Sequence, residues 1–101
     1  MMQFEEIAVL NRIIYPYNIA GNSLTQYEAF ERVQKHLDIS SFKSKQAKSI
    51  WSQLERLYSA KMPFNDMFFE FGALGDVWST SGVNDISKHI EILEGVKYGN
   101  K

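Results

Sequence analysis

Residues 63–78 read PFNDMFFEFGALGDVW. The stretch places Phe64, Phe68, Phe69, Phe71 and Trp78 within sixteen positions, beside the acids Asp66, Glu70 and Asp76 and no basic residue. How it is read decides the fold. As a helix, Phe64, Met67, Phe68 and Phe71 fall at i, i+3, i+4 and i+7 and make one apolar face. As a hairpin, DMFFEF and DVWST become strands around GALG, because aromatic side chains suit a pleated sheet. Gly72 and Gly75 limit any helix to about two turns. Strict alternation breaks at Phe68–Phe69, and this favours the short helix.

The flanking segments read as helices. Over residues 3–15, Phe4, Ile7, Leu10 and Ile14 recur at helical spacing, while Val9 and Ile13 add a second apolar side, so burial on two faces is expected. Pro16 ends this segment, since a residue before proline avoids the helical region, and the linker PYNIAGNS follows. Two overlapping capping boxes, Ser23-x-x-Gln26 and Thr25-x-x-Glu28, open a second helix reaching about residue 38, with Tyr27, Phe30, Val33 and Leu37 as its stripe. A third runs from Ser40 or Ser41 to about Met62 on Ala47, Ile50, Trp51, Leu54, Leu57 and Tyr58, and Pro63 closes it. A last helix, about 84–95, places Ile86, Ile90 and Leu93 together, with Asn84 as cap and Gly95 as stop. Residues 97–101 read as a tail.

The expected fold is therefore all-α: one small domain over residues 1–101 with four to five short helices. The alternative replaces one helix by a β-hairpin around residues 66–80, which gives a winged-helix-like arrangement. With 45% hydrophobic and 23% charged residues, the chain has the composition of a globular protein. It contains no cysteine, which excludes thiol chemistry and cysteine-ligated zinc and fits a reducing compartment. The N-terminal MMQFEEIAVLNRII carries Glu5 and Glu6 where a secretory signal is basic, and no window is long and apolar enough to span a membrane. A cytoplasmic protein without membrane contact is the expectation.

Residue types and spacings point away from catalysis. There is no phosphate-cradling glycine loop, no nucleophile elbow and no histidine pair on one helix face. Asp85 and His89 are four apart, as are Asp66 and Glu70. Both are expected to be ordinary pairs on solvated faces, since carboxylates act as acid and base only where an enclosed site separates their pKa values. No enzyme activity, metal or cofactor is expected.

Charge is uneven although the net is −1. Residues 35–61 hold six basic residues against Asp38 and Glu55, and residues 62–87 hold no basic residue at all. Two binding surfaces follow. The first joins Asp66, Phe69, Glu70 and Asp76 with Glu91 and Ile92 of the last helix. An apolar anchor ringed by acids suits a basic protein partner such as the cationic groove of a toxin nuclease. In size, absence of cysteine and an acidic C-terminal half, the chain is similar in kind to colicin-type immunity proteins. This implies a non-enzymatic module of the immunity-protein, antitoxin or phage-inhibitor type, which neutralises or regulates its partner.

The second surface is a stripe of Lys45, Lys48, Ser52 and Arg56, with Lys43 at the helix start. The stretch SLTQYEAFERVQKHLDISSFKSKQAKSIWSQLERL resembles the helix-turn-helix core of winged-helix regulators, and the resemblance implies DNA binding through these residues. Against it, a wing carrying Asp66, Glu70 and Asp76 would repel the phosphate backbone.

Overall fold

A computed structural model describes residues 2–15, 23–69, 75, 77 and 86–97. Among them are four α-helices, α1 (Phe4–Ile14), α2 (Ser23–Gln34), α3 (Lys45–Ser59) and α4 (Ser87–Lys97), and two 3-10 turns, Ile39–Ser41 and Asp66–Phe68. There is no strand among the described residues. Val77, which the hairpin alternative places in a strand, is helical, as is Gly75. The rest of that alternative, residues 70–74, 76 and 78–80, lies outside the described residues.

Helix α1 is the hub: α2, α3 and α4 all pack against it. Its double apolar pattern explains why, because Ala8, Val9, Leu10, Ile13 and Ile14 are all buried. Tyr15 leaves the helix at φ −122° and ψ 61°, outside the helical region that a residue before proline avoids. Between α2 and α3 the contact is aromatic. Phe30 meets Trp51 at 5.0 Å and Tyr58 at 5.1 Å, and Phe42 closes on Trp51 at 5.2 Å. Phe30, Phe42 and Trp51 are fully buried, and burying a phenylalanine of this kind is worth about 1.5–3 kcal/mol.

Phe42 also explains why α3 starts later than its sequence suggests. Asp38 caps the first 3-10 turn, accepting from the Ser40 amide at 2.9 Å while its own amide donates to Ser41 Oγ at 3.0 Å. The chain then runs extended at Phe42 to drive that ring into the core, and only Ser44 caps α3, accepting from the Ala47 amide at 3.1 Å.

Three buried polar side chains join segments distant in sequence. Glu6 is fully buried and its carboxylate accepts from the Gln3 amide (2.9 Å), the Lys43 amide (2.7 Å), the Ser44 amide (3.2 Å) and Ser44 Oγ (3.0 Å). Asn11 donates to the Val77 carbonyl at 2.7 Å. Gln26 bridges the end of α1 to the segment after α3. Ser23 and Thr25, the expected caps of α2, both lie inside the helix, and Gln26, expected to close the box with Ser23, is buried. At the other end of the chain, Gly95 lies inside α4 instead of stopping it, and Asn84 is outside the described residues.

Helix α3 ends at Ser59, short of the expected Met62, in a Schellman motif. The Lys61 amide donates to the Tyr58 carbonyl at 3.1 Å and the Met62 amide to the Leu57 carbonyl at 2.9 Å, with Lys61 at φ 60°. A side chain in this left-handed conformation costs about 1–2 kcal/mol. Part of that is returned when glycine loosens the unfolded chain. Lys61→Gly is therefore expected to stabilise the domain by about 0.5–1 kcal/mol, read as a higher urea midpoint at unchanged slope. A lower midpoint would contradict the strain assigned to Lys61.

Candidate functional site

The acidic stretch that follows α3 is held at several points by groups from α1, α2 and α3. Tyr27 Oη donates to the Met62 carbonyl at 2.6 Å. Gln26 takes hold of Phe64 from both sides: its Oε1 accepts from the Phe64 amide at 3.2 Å, and its Nε2 donates to the Phe64 carbonyl at 3.1 Å and to the Ile14 carbonyl at 2.8 Å. The Phe64 ring is buried against Tyr27 at 5.3 Å and Phe30 at 5.6 Å. Asn65 then organises the 3-10 turn, its Oδ1 accepting from the Met67 amide at 3.1 Å and its carbonyl from the Phe68 amide at 2.9 Å. Gln53 Nε2 donates to the Phe68 carbonyl at 2.8 Å and ties the turn to α3.

These anchors decide which side chains face outward. Phe64 is buried, and Phe68 and Phe69 pack partly buried against the core. Met67 is 76% exposed, the most exposed large apolar side chain described. The sequence spacing groups Met67 with the buried face of a helix. The chain instead makes only a single 3-10 turn here, and Met67 projects from its middle. Phe69, the expected anchor, offers a partner only the part of its ring that the core leaves open. Asp66 belongs to the turn, while Glu70 and Asp76 lie outside the described residues.

Glu91 and Ile92, the remainder of the expected acidic–apolar surface, are exposed on α4, with Ile92 at 50%. Beside α4, Phe4 of α1 is 55% exposed and meets the His89 ring at 5.5 Å. Helix α4 is held by α1 and the Ile39–Ser41 turn, whereas the Met67 turn is held by α2 and α3. The two halves of the expected surface thus rest on different supports.

The basic stripe is only partly available. Lys43, Lys45 and Arg56 are exposed and Ser52 is half-buried, but Lys48 Nζ donates to the Phe42 carbonyl at 2.5 Å. Ten residues, 35–44, separate α2 from α3 and include the Ile39–Ser41 turn, where a helix-turn-helix has a turn of about 3–4 residues. The amino end of α3, the end a recognition helix presents to DNA, is met by the buried Glu6 carboxylate.

His36 and Glu94 approach to 3.3 Å on the surface, and His89 faces Phe4, so the histidines sit apart. Asp85, the expected neighbour of His89, lies outside the described residues. Among the described residues no three acidic or histidine side chains are placed to hold a metal ion, and no helix is long and apolar enough to cross a membrane. A depression of about 510 Å³ over Gln3 and Lys43–Gln46 has polar and apolar wall in similar measure, and a cavity of about 90 Å³ beside Arg12, Val33 and Ile90 is small. Ligand pockets are mostly apolar and about 300–1,000 Å³.

Beside the turn, Tyr58 Oη donates to the Glu31 carboxylate, and its ring packs edge-on to Tyr27 at 5.2 Å. The bond to Glu31, with smaller contributions from desolvation and from the negative charge itself, raises the Tyr58 pKa above the ordinary 10.0. Because the folded value is the higher one, this contribution to stability is complete below about pH 10 and is lost as pH climbs through the folded value. Absorbance titration at 295 nm is expected to show Tyr58 ionising late, and Glu31→Gln should bring it back toward the ordinary range. No change in Glu31→Gln would contradict the assignment.

Compared with known protein families, curated proteins and solved structures, the chain matches none.

Proposed function

We propose that this domain is a non-enzymatic protein-binding module that neutralises or regulates a basic partner, in the manner of an immunity protein, antitoxin or phage-encoded inhibitor. The observation that carries the reading is the exposure of Met67 on a turn that Gln53 ties to α3, directly after a segment held by Tyr27 at Met62 and by Gln26 at Phe64. An apolar group on a pre-organised loop loses little conformational freedom when a partner covers it. Methionine adapts to irregular pockets, and it recurs at protein-binding surfaces for that reason. Asp66, Glu70 and Asp76 are close in sequence, and no basic residue lies between Lys61 and Lys88, so the segment suits a cation-lined cleft. A nuclease groove built for phosphates has that chemistry. Glu91 and Ile92 supply a second acidic–apolar patch on α4.

The test is capture of a partner from extracts of the source organism by immobilised protein, followed by affinity measurements with the purified partner. Met67→Ala and Asp66→Lys are each expected to weaken binding by about tenfold or more while circular dichroism stays unchanged. Unaltered affinity in both variants would refute the site. Saturable duplex-DNA binding that falls steeply with salt, by roughly the third power or more, and is abolished in a Lys43→Glu, Lys45→Glu double variant would refute the reading in favour of DNA recognition.

A further inference from the structure

We infer that, among the described methionines, Met67 is the one through which oxidation alters this protein, changing its binding face and leaving its fold intact. Three of the four methionines are described, and they differ sharply in access: Met67 is 76% exposed, Met62 37% and Met2 4%. A thioether reacts with hydrogen peroxide by sulfur attack on one peroxide oxygen. The S–O bond forms as the O–O bond breaks, sulfur loses two electrons, and the second oxygen leaves as water. The reaction needs a direct approach to sulfur, so its rate follows exposure.

The consequence follows from what holds the turn. Every described hydrogen bond of residues 64–68 uses backbone groups or the side chains of Gln26, Gln53 and Asn65, and none uses the Met67 thioether. A sulfoxide oxygen on Met67 therefore projects into water without disturbing an anchor. The same oxygen on Met2 would enter the hydrophobic core, of which Met2 is part. At Met67 the change converts a polarizable apolar group into a strongly hydrated one, so it removes the feature on which the proposed docking depends. Methionine sulfoxide reductase reverses the step, with two thiols supplying the electrons, forming a disulfide and releasing the oxygen as water.

The effect on binding rests on the docking reading; the order of oxidation and the survival of the fold do not. The intact protein is treated with limiting hydrogen peroxide, quenched, and mapped by peptide mass spectrometry. Among the three described methionines, Met67 sulfoxide is expected first, with Met2 slower by about tenfold or more. The melting temperature of the singly oxidised protein should stay within about 1 °C of the reduced form. Oxidation of Met2 or Met62 ahead of Met67, or a clear fall in melting temperature, overturns the inference.

In a second arm, reduced, oxidised and reductase-treated protein are immobilised and presented with the extract used for capture. Loss of the captured partner on oxidation, recovery with the reductase, and peroxide-resistant capture by Met67→Leu support the inference. Equal capture by the oxidised protein overturns it. If the reduced protein captures nothing, the docking reading fails by itself, and the oxidation order and melting temperature still decide where oxidation acts.

Discussion

The side chain of Gln26 connects what holds this domain together with what it presents. From one buried position on α2 it bonds the last carbonyl of α1 and both backbone groups of Phe64. Each such bond is worth about 1 kcal/mol net, and each backbone group left without it costs about 1–3 kcal/mol. With Phe64 fixed, its ring is committed to the aromatic cluster of Tyr27 and Phe30, and the next turn must come out where Met67 faces water. The exposed methionine is thus a consequence of a buried amide.

Glu6 plays the corresponding part at the opposite end of the bundle. A buried carboxylate would be costly without partners, and here each oxygen accepts two hydrogen bonds, three of the four from Lys43 and Ser44 at the amino end of α3. The arrangement docks α1 on α3 and settles an electrostatic question as well. The partial positive charge at a helix amino end attracts phosphate, and in this domain an internal acid already sits there. Lys48 is engaged as well, while Lys43, Lys45 and Arg56 stay exposed. Among the described residues, Met67 and Ile92 are exposed apolar side chains on well-supported elements.

Much of the fold was legible in sequence because hydrophobic periodicity reports burial directly. The stripes of α1, α2, α3 and α4 fall where Leu10, Phe30, Trp51 and Leu93 are buried, and the doubled pattern of α1 anticipates its central place. What periodicity does not report is the use of buried polar groups. Yet a signal was present. Gln26 lies four residues before Phe30 on the α2 stripe, Asn11 four after Ile7, and Glu6 four before Leu10, so each interrupts an apolar face. Gln26 reads as part of a capping box, Glu6 as an acid that argues against a secretory signal, and Asn11 stands out in no pattern, so none of them hints at the tertiary bonds to Phe64, Ser44 and Val77. The candidate site was legible only as a composition, for the same reason. The acids and the surplus of aromatics marked the stretch as a surface, but which apolar residue escapes burial depends on a clamp from α2 that local spacing does not encode. Phe69 was the expectation from spacing, and Met67 is the residue that projects.

The outward position of Met67 therefore depends on whether Gln26 holds the segment that carries it. Native-state hydrogen exchange of Gln26→Leu, similar in size but unable to bond, measures this at the amide concerned. The Phe64 amide, whose described acceptor is Gln26 Oε1, is expected to exchange about tenfold faster or more, while amides of Ile50 and Leu54 within α3 keep their protection. A Phe64 amide as protected in the variant as in the native protein would show that the turn is held by something else, and the link from buried amide to exposed methionine would fail.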